Sequence, residues 1–421
     1  MKVVLTNDSF PPLIDGVVNV VLNYANKIRE EHGGEVMVAT PEYPGAVDDY
    51  PFEVVRYKSL STENTIGYRT GMPFSGTVLR RFEEFDADII HSHCPMASTV
   101  LAREIREVTG APIILTYHTK FDIDIRRSVK HKLLHEPFIN QMVKNIEACD
   151  EVWAVNKGAG ENLKSLGYTG DYYVMKNGVE FENVPSPEED VKALNDEYRL
   201  PTDGTPVFLF VGRMFWYKGA RIILDSLREI KTMNRDFRMI FVGKGGDAEA
   251  MKTYAEELGL GDKCIFTGPV YDRKKLKAFY TRADLLFLPS TFDNDPLVVK
   301  EAASAHTASV LIRDSSSADD VVHMRNGILI DENYGSLTGA LLKMYAAPEK
   351  LRELGECASR ELYLSWDESV ERAMRRYEEV LRRCPKGKTV HPKARYDKLI
   401  ELIADAYRLM GKIRDLGGKM D

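Results

Sequence analysis

Short apolar runs rich in Val, Ile and Phe alternate with longer stretches of helical periodicity from the first residue of this chain, and the pattern runs its course twice. The first course reads VVLTN, an amphipathic stretch over 17–31, EVMVAT, FEVVRY, ADIIHSH, a helix near 96–108, PIILTYHT, a helix near 127–148, and EVWAVN. Alternation of this kind builds βαβ units, because parallel neighbours need a crossover segment between them. Asn177-Gly178 closes the first course, and the Pro-, Glu- and Asp-rich stretch over 180–206 is the strongest boundary signal in the chain. The second course reads PVFLFVGR, a helix after Gly219, FRMIFVGKGG, a helix over 248–258, CIFTG, a helix near 273–280, ADLLFLPS, a helix over 297–305, SVLIRD and GILI. The expected architecture is α/β, with two doubly wound parallel-sheet domains over 1–180 and 206–365, a linker over 181–205, and helices over 366–421 that return to the N-terminal domain. A chain of 421 residues exceeds what one core serves, so two domains also fit its length.

Composition narrows the function classes. A net charge of −7 gives no global attraction to nucleic acid, and no apolar run approaches the roughly 20 residues of a membrane span. The chain opens on a strand rather than a signal peptide, so a cytoplasmic protein is expected. Cys94, Cys149, Cys264, Cys357 and Cys384 are scattered and form no CxxC pair, which argues against a disulfide framework or a zinc site. Beyond the helical run ESVERAMRRYEEVLRR, the residues Tyr396, Leu399, Ile400, Ile403, Tyr407 and Met410 recur at helical spacing. An amphipathic helix over 394–414 is expected, either packed on a domain or docked on a membrane surface or partner.

Ligands of open α/β sheets bind at the carboxyl ends of the strands. In PSTFDNDPLVVKEA, Asp293 falls in the loop at such an end and Glu301 about one turn inside the helix that begins near Pro296. In VGRMFWYKG, Arg213 stands just past a strand and Lys218 immediately before a helix. A guanidinium fork, an ammonium and a helix N-terminus together suit a diphosphate. Substituting either cation by alanine is expected to abolish most activity with the fold intact. The turn VGKGGD, beginning at Gly243, either lets the backbone approach a ligand or is a plain turn. The absence of GxGxxG after a strand counts against nicotinamide and flavin enzymes. His91 and His93 are read as facing opposite sides of their strand, unable to chelate jointly without another element. The D-x-D spacing of Asp122 and Asp124 is read as an acceptor contact or a solvated loop rather than a metal site. Arg126, Arg127 and Lys130 form either a solvated helix face or an attractor for an anionic acceptor or membrane surface.

PPLIDGVVN, HSHCP, TYHT, MKNGV, GRMFWYKG, IFTG and PSTFDNDPLVVKEA occur here in an order and spacing that resemble the retaining glycosyltransferases of family 4, up to about Arg383. The resemblance implies the GT-B fold, in which two Rossmann-like domains face each other. It implies that Arg213 and Lys218 hold a donor diphosphate, that Glu301 bonds the ribose, and that the backbone at Leu297 and Val298 meets the phosphate. Gly16 matches a glycine that approaches the donor, His118 a histidine facing the transferred sugar, and Thr267 and Gly268 a contact to the base. Asp293 stands where the family has a glutamate that contacts the sugar, its carboxylate drawn back by about 1.5 Å, one C–C bond. No cofactor or metal is expected, since the cations and the helix end would stabilise the leaving group. The implied activity moves a hexosyl group from a nucleotide sugar, UDP favoured, to an acceptor hydroxyl. SFPPLIDGV and TYHTKFD are most similar to enzymes that glycosylate diacylglycerol, which implies a lipid acceptor and peripheral attachment to the cytoplasmic membrane face. Transfer to a soluble or polysaccharide acceptor, and a catalytically weak sugar-nucleotide-binding protein, are the alternatives.

Overall fold

The computed structural model describes residues 1–13, 15–62, 69–128 and 132–387, in two compact units. The first comprises the chain to Asn177 together with the segment from Trp366 to Gly387; the second runs from Gly178 to Ser365. The helix expected over 394–414 lies outside the described residues.

The first unit is built on a seven-stranded parallel sheet. Its strands are β1 (Lys2–Thr6), β2 (Glu35–Pro41), β3 (Glu53–Tyr57), β6 (Ile89–Ser92), β7 (Ile113–Tyr117), β8 (Glu151–Ala154) and β9 (Tyr173–Val174), ordered β3-β2-β1-β6-β7-β8-β9. A two-residue antiparallel pair, β4 (Ser59–Leu60) and β5 (Thr70–Gly71), stands apart from it. The inner strands are buried throughout, as a sheet covered on both faces requires. The helix Gly16–Glu30 contributes Val18, Val21, Tyr24 and Ile28 to one face. On that same face lies the helix Trp366–Arg383, whose Trp366, Val370, Tyr377 and Val380 join Val3, Leu5 and Trp153 in one core. Glu151 holds this helix by accepting from Arg376, at 2.8 Å from Nε, and from Arg383.

The helix expected over 127–148 is two helices, Phe121–Ser128 and His135–Glu147, the latter preceded by a 3₁₀ turn at Lys132–Leu134. The first of them takes in the D-x-D stretch. The loop reading of Asp122 and Asp124 gives way to a helical one.

The second unit carries a six-stranded parallel sheet. Strands β10 (Val207–Val211), β11 (Arg238–Val242), β12 (Cys264–Gly268), β13 (Leu285–Leu288), β14 (Ser309–Ile312) and β15 (Ile328–Ile330) are ordered β12-β11-β10-β13-β14-β15. Strand order reverses between β10 and β13, and the loops that follow these two strands contain Lys218 and Asp293. The stretch expected as a linker over 181–205 is part of this unit. It forms the helix Glu188–Tyr198, and Phe181, Leu194 and Leu200 enter the core with the sheet residues. Two helices without a counterpart in the sequence reading, Tyr334–Ala346 and Glu349–Glu361, complete it. Among the described residues no helix is long and apolar enough to cross a membrane.

Candidate active site

At the carboxyl end of the second sheet the loops are stitched to one another through backbone. Met214 N donates to Lys244 O at 3.0 Å, and Gly243 N to Gly268 O at 2.9 Å. A Cβ at Gly243, where φ is +143°, would stand 1.9 Å from the Gly212 oxygen; one at Gly219, where φ is +85°, would stand 2.0 Å from the Pro289 oxygen. Glycine at 243 is therefore demanded by loop-on-loop packing, a requirement internal to the protein. Gly219 in turn seats the loop bearing Lys218 against the loop bearing Asp293.

Lys218 and Asp293 form an ion pair through Asp293 Oδ1, with Lys218 only 7% exposed. The other carboxylate oxygen, Oδ2, is buried with no protein partner. A buried acceptor left open in this way is a place for a ligand hydroxyl. Arg213 is different: it is exposed, its guanidinium lies 5.9 Å from the Phe215 ring centroid, and among the described residues it has no carboxylate partner. The pair is walled by aromatics that the sequence reading did not single out. Tyr217 lies 4.8 Å from Phe292 and 5.4 Å from Phe215, and Lys218 Nζ sits 5.2 Å from the Phe292 ring centroid. The run Phe215-Trp216-Tyr217, aromatic yet outside any strand, was the available signal.

Leu297 and Val298 open the helix Leu297–Ser304, whose N-terminus has no side-chain cap. Asp15, Asn156, Asp272 and Asn333 cap their helices, whereas those opening at Gly76, Ala97, Glu188, Ala220, Ala248 and Glu349 also have no side-chain cap. The amide donors at 297 and 298 are left for another acceptor, and the helix dipole favours an anion there. One turn on, Glu301 is 8% exposed and accepts from Arg273 Nη2 at 2.9 Å and from the buried Tyr280 hydroxyl at 2.7 Å. Burial beside that carboxylate holds the Tyr280 hydroxyl protonated, its pKa well above the ordinary tyrosine value, so it is a fixed donor. Arg273 also pairs with Glu180 at 3.1 Å and lies 4.2 Å from the Phe181 ring centroid. Arg273 and Tyr280 escaped the sequence reading, although three cations, Arg273 to Lys275, at the positive end of a helix are a sign of outside carboxylate partners. Thr267 and Gly268 end β12, where the Thr267 hydroxyl donates to Gly268 O at 2.8 Å.

In the first unit, His118 follows β7 and is 7% exposed, its Nε2 3.0 Å from His93 Nδ1. His91 and His93 do not face opposite sides: their ring centroids are 4.1 Å apart. Residues two apart along a strand share a face, and the rings lie together for that reason. Gly16 opens the helix that Asp15 caps, with 2.8 Å from Asp15 Oδ1 to Val18 N, and a Cβ at Gly16 would meet nothing within 4 Å. Asp122 Oδ1 is buried without a partner. Arg126 is engaged by Glu136 at 2.8 Å. Lys130 and the Arg127 side chain lie outside the described residues. Among the described residues no group of three or more His, Cys, Asp and Glu side chains is arranged to hold a metal ion.

Residues 14–183 match the family model Glycosyltransferase Family 4, and residues 193–361 match Glycosyl transferases group 1. Together with the two parallel-sheet units, these matches define a glycosyltransferase of the GT-B fold. The chain belongs to family 4. It is similar to the alpha-monoglucosyldiacylglycerol synthase of Streptococcus pneumoniae, with 20% identity over 84% of this chain and 80% of that one. It is also similar to D-inositol 3-phosphate glycosyltransferase 2 of Catenulispora acidiphila, with 28% identity over 82% and 85%. Among solved structures, Anabaena Alr3699/HepE in complex with UDP shares the fold with a TM-score of 0.73 at 16% identity, over 90% of this chain and 100% of that one.

Proposed function

We propose that this glycosyltransferase is a retaining, metal-independent enzyme that moves a hexosyl group from a nucleoside-diphosphate sugar, UDP favoured, to a hydroxyl of a lipid acceptor such as diacylglycerol. The observation that carries the reading is the uncapped N-terminus of the helix Leu297–Ser304, which follows the strand-end loop that carries Asp293, the partner of Lys218. Free helix amides, Lys218 and Arg213 are three sources of positive potential suited to a diphosphate. They stabilise the charge that grows on the β-phosphate oxygen as its bond to the sugar C1 breaks. The acceptor oxygen bonds C1 on the same face, and its proton passes to the departing phosphate. Glu301, aimed by Arg273 and Tyr280, keeps lone pairs for the ribose hydroxyls. Asp293 Oδ2 accepts from a sugar hydroxyl, and His118 is read as the histidine that contacts the transferred sugar. UDP is favoured because the HepE structure is a UDP complex, and a lipid acceptor because the pneumococcal relative is a diacylglycerol glycoside synthase.

Donor hydrolysis measured across UDP-, GDP- and ADP-sugars tests the donor without requiring an acceptor; release from a UDP-hexose is expected, and preference for another nucleotide overturns that part of the reading. Pelleting with diacylglycerol liposomes and transfer of labelled sugar into them test the acceptor. Neither pelleting nor transfer with any donor would overturn the lipid assignment. One observation favours the second reading, a sugar-nucleotide-binding protein of weak activity: Lys218 is already neutralised by Asp293. Tight UDP binding with no hydrolysis and no transfer would decide for it.

A further inference from the structure

Three histidines meet behind the strand ends of the first unit. His91 spends both ring nitrogens on the protein, Nδ1 at 2.6 Å from the Tyr377 hydroxyl and Nε2 at 2.7 Å from Thr116 Oγ1. His93 is fully buried, packed against His91 and, edge to face at 5.4 Å, against Tyr24. Its Nδ1 meets His118 Nε2 at 3.0 Å, with the two rings 22° from coplanar, and its Nε2 is buried with no partner.

This arrangement decides where the protons are. Burial holds all three imidazoles neutral, so each ring has a single N–H. Two bare lone pairs do not face each other at 3.0 Å, so one ring donates to the other. Were His118 the donor, the proton of His93 would sit on Nε2 and be stranded without an acceptor. A buried N–H left unpaired is the rarer and costlier orphan. With His93 donating from Nδ1, only a lone pair at Nε2 is left over.

We infer that His93 is a positioning residue that donates its Nδ1–H to His118 Nε2 and so fixes His118 with its own proton on Nδ1. His118 then cannot serve the reaction as a base, because its one lone pair is occupied. The tautomer follows from the ring distances and the burial that keeps the rings neutral; its effect on catalysis rests on the reading of His118 as the sugar-facing histidine.

Long-range ¹⁵N–¹H correlation spectra of the full chain labelled at histidine, with His118→Gln to assign the signals, read the tautomer directly. Both His93 and His118 are expected as Nδ1-protonated rings, and an Nε2-protonated His118 overturns the assignment. His93→Phe keeps a ring but no donor. It is expected to release His118 into a mixture of tautomers and to lower kcat about tenfold, the worth of one hydrogen bond, with donor KM unchanged. His93→Asn, whose amide N–H can stand in for Nδ1–H, is expected to restore the tautomer and most of the rate. If the phenylalanine variant does not fold, the native and asparagine spectra still decide. An unshifted tautomer in a folded His93→Phe overturns the assignment. A shifted tautomer with unchanged kcat overturns the role of His118 in the reaction and leaves the assignment standing.

Discussion

Lys218 and Arg213 bear the same charge in opposite circumstances, and their alanine variants separate accordingly. Arg213 is exposed and has no carboxylate partner among the described residues, so Arg213→Ala leaves the urea midpoint unchanged while kcat falls by about 100- to 1,000-fold, the usual cost of one lost donor to a developing anion. Lys218 is buried against Asp293. Lys218→Ala loses a similar rate but also strands a carboxylate whose second oxygen already has no partner, which costs about 1–3 kcal/mol in the same urea titration. The two variants are therefore expected to differ in stability; equal midpoints would show that the ion pair carries no stability. Glu301→Ala weakens UDP binding by about tenfold in calorimetry through the lost ribose bonds, and Tyr280→Phe, which removes one donor that aims Glu301, weakens it less. Full affinity in Glu301→Ala would move the ribose contact elsewhere.

The ends of β6 and β7 bring His91, His93 and His118 into one buried cluster, and burial lowers the pKa of each, that of His118 to about 3. The unfolded chain titrates its histidines near 6.5, so below that pH it binds protons that the native cluster refuses, and stability falls as pH falls. The loss is about 1.4 kcal/mol per histidine per pH unit, roughly 4 for the three together. The urea midpoint at about pH 5.5 is therefore expected well below that at about pH 7.5, with His91→Gln flattening the dependence; equal midpoints would show that the cluster takes up protons while folded. The same elements show what a sequence reveals. The strands were legible because buried parallel strands are short apolar runs bounded by Gly, Pro and polar residues, and β7 and β13 are of that kind. The placement of Arg213 and Lys218 in a strand-end loop was legible because the apolar run before them is bounded by glycine and polar residues. The partners were not: Tyr377 reaches His91 from 286 residues away, Asp293 reaches Lys218 across 75, and Arg273 reaches Glu301 across 28. Such pairs follow from which strands neighbour one another, and no local pattern reports that.

Over the whole molecule, the first unit is assembled from both ends of the described chain. Trp366, Val370, Tyr377 and Val380 are each 3% exposed or less and share a core with Val3, Leu5, Tyr24 and Trp153. Burying four such side chains contributes roughly 6–12 kcal/mol, at about 1.5–3 each, which is as large as the entire stability of an ordinary domain. The second unit has its own core, none of whose residues belongs to this helix. A fragment over 178–365 is accordingly expected to unfold cooperatively in urea and to bind UDP, since Arg213, Lys218, Glu301 and the amides of Leu297 and Val298 all lie within it. A fragment over 1–177 is expected to lack a cooperative transition, and to gain one when a peptide over 366–387 is added. Cooperative unfolding of 1–177 alone would show that the helix Trp366–Arg383 is an accessory to the first unit. A folded 178–365 that fails to bind UDP would place indispensable nucleotide contacts outside the second unit, and the donor roles proposed for its strand-end loops would be insufficient.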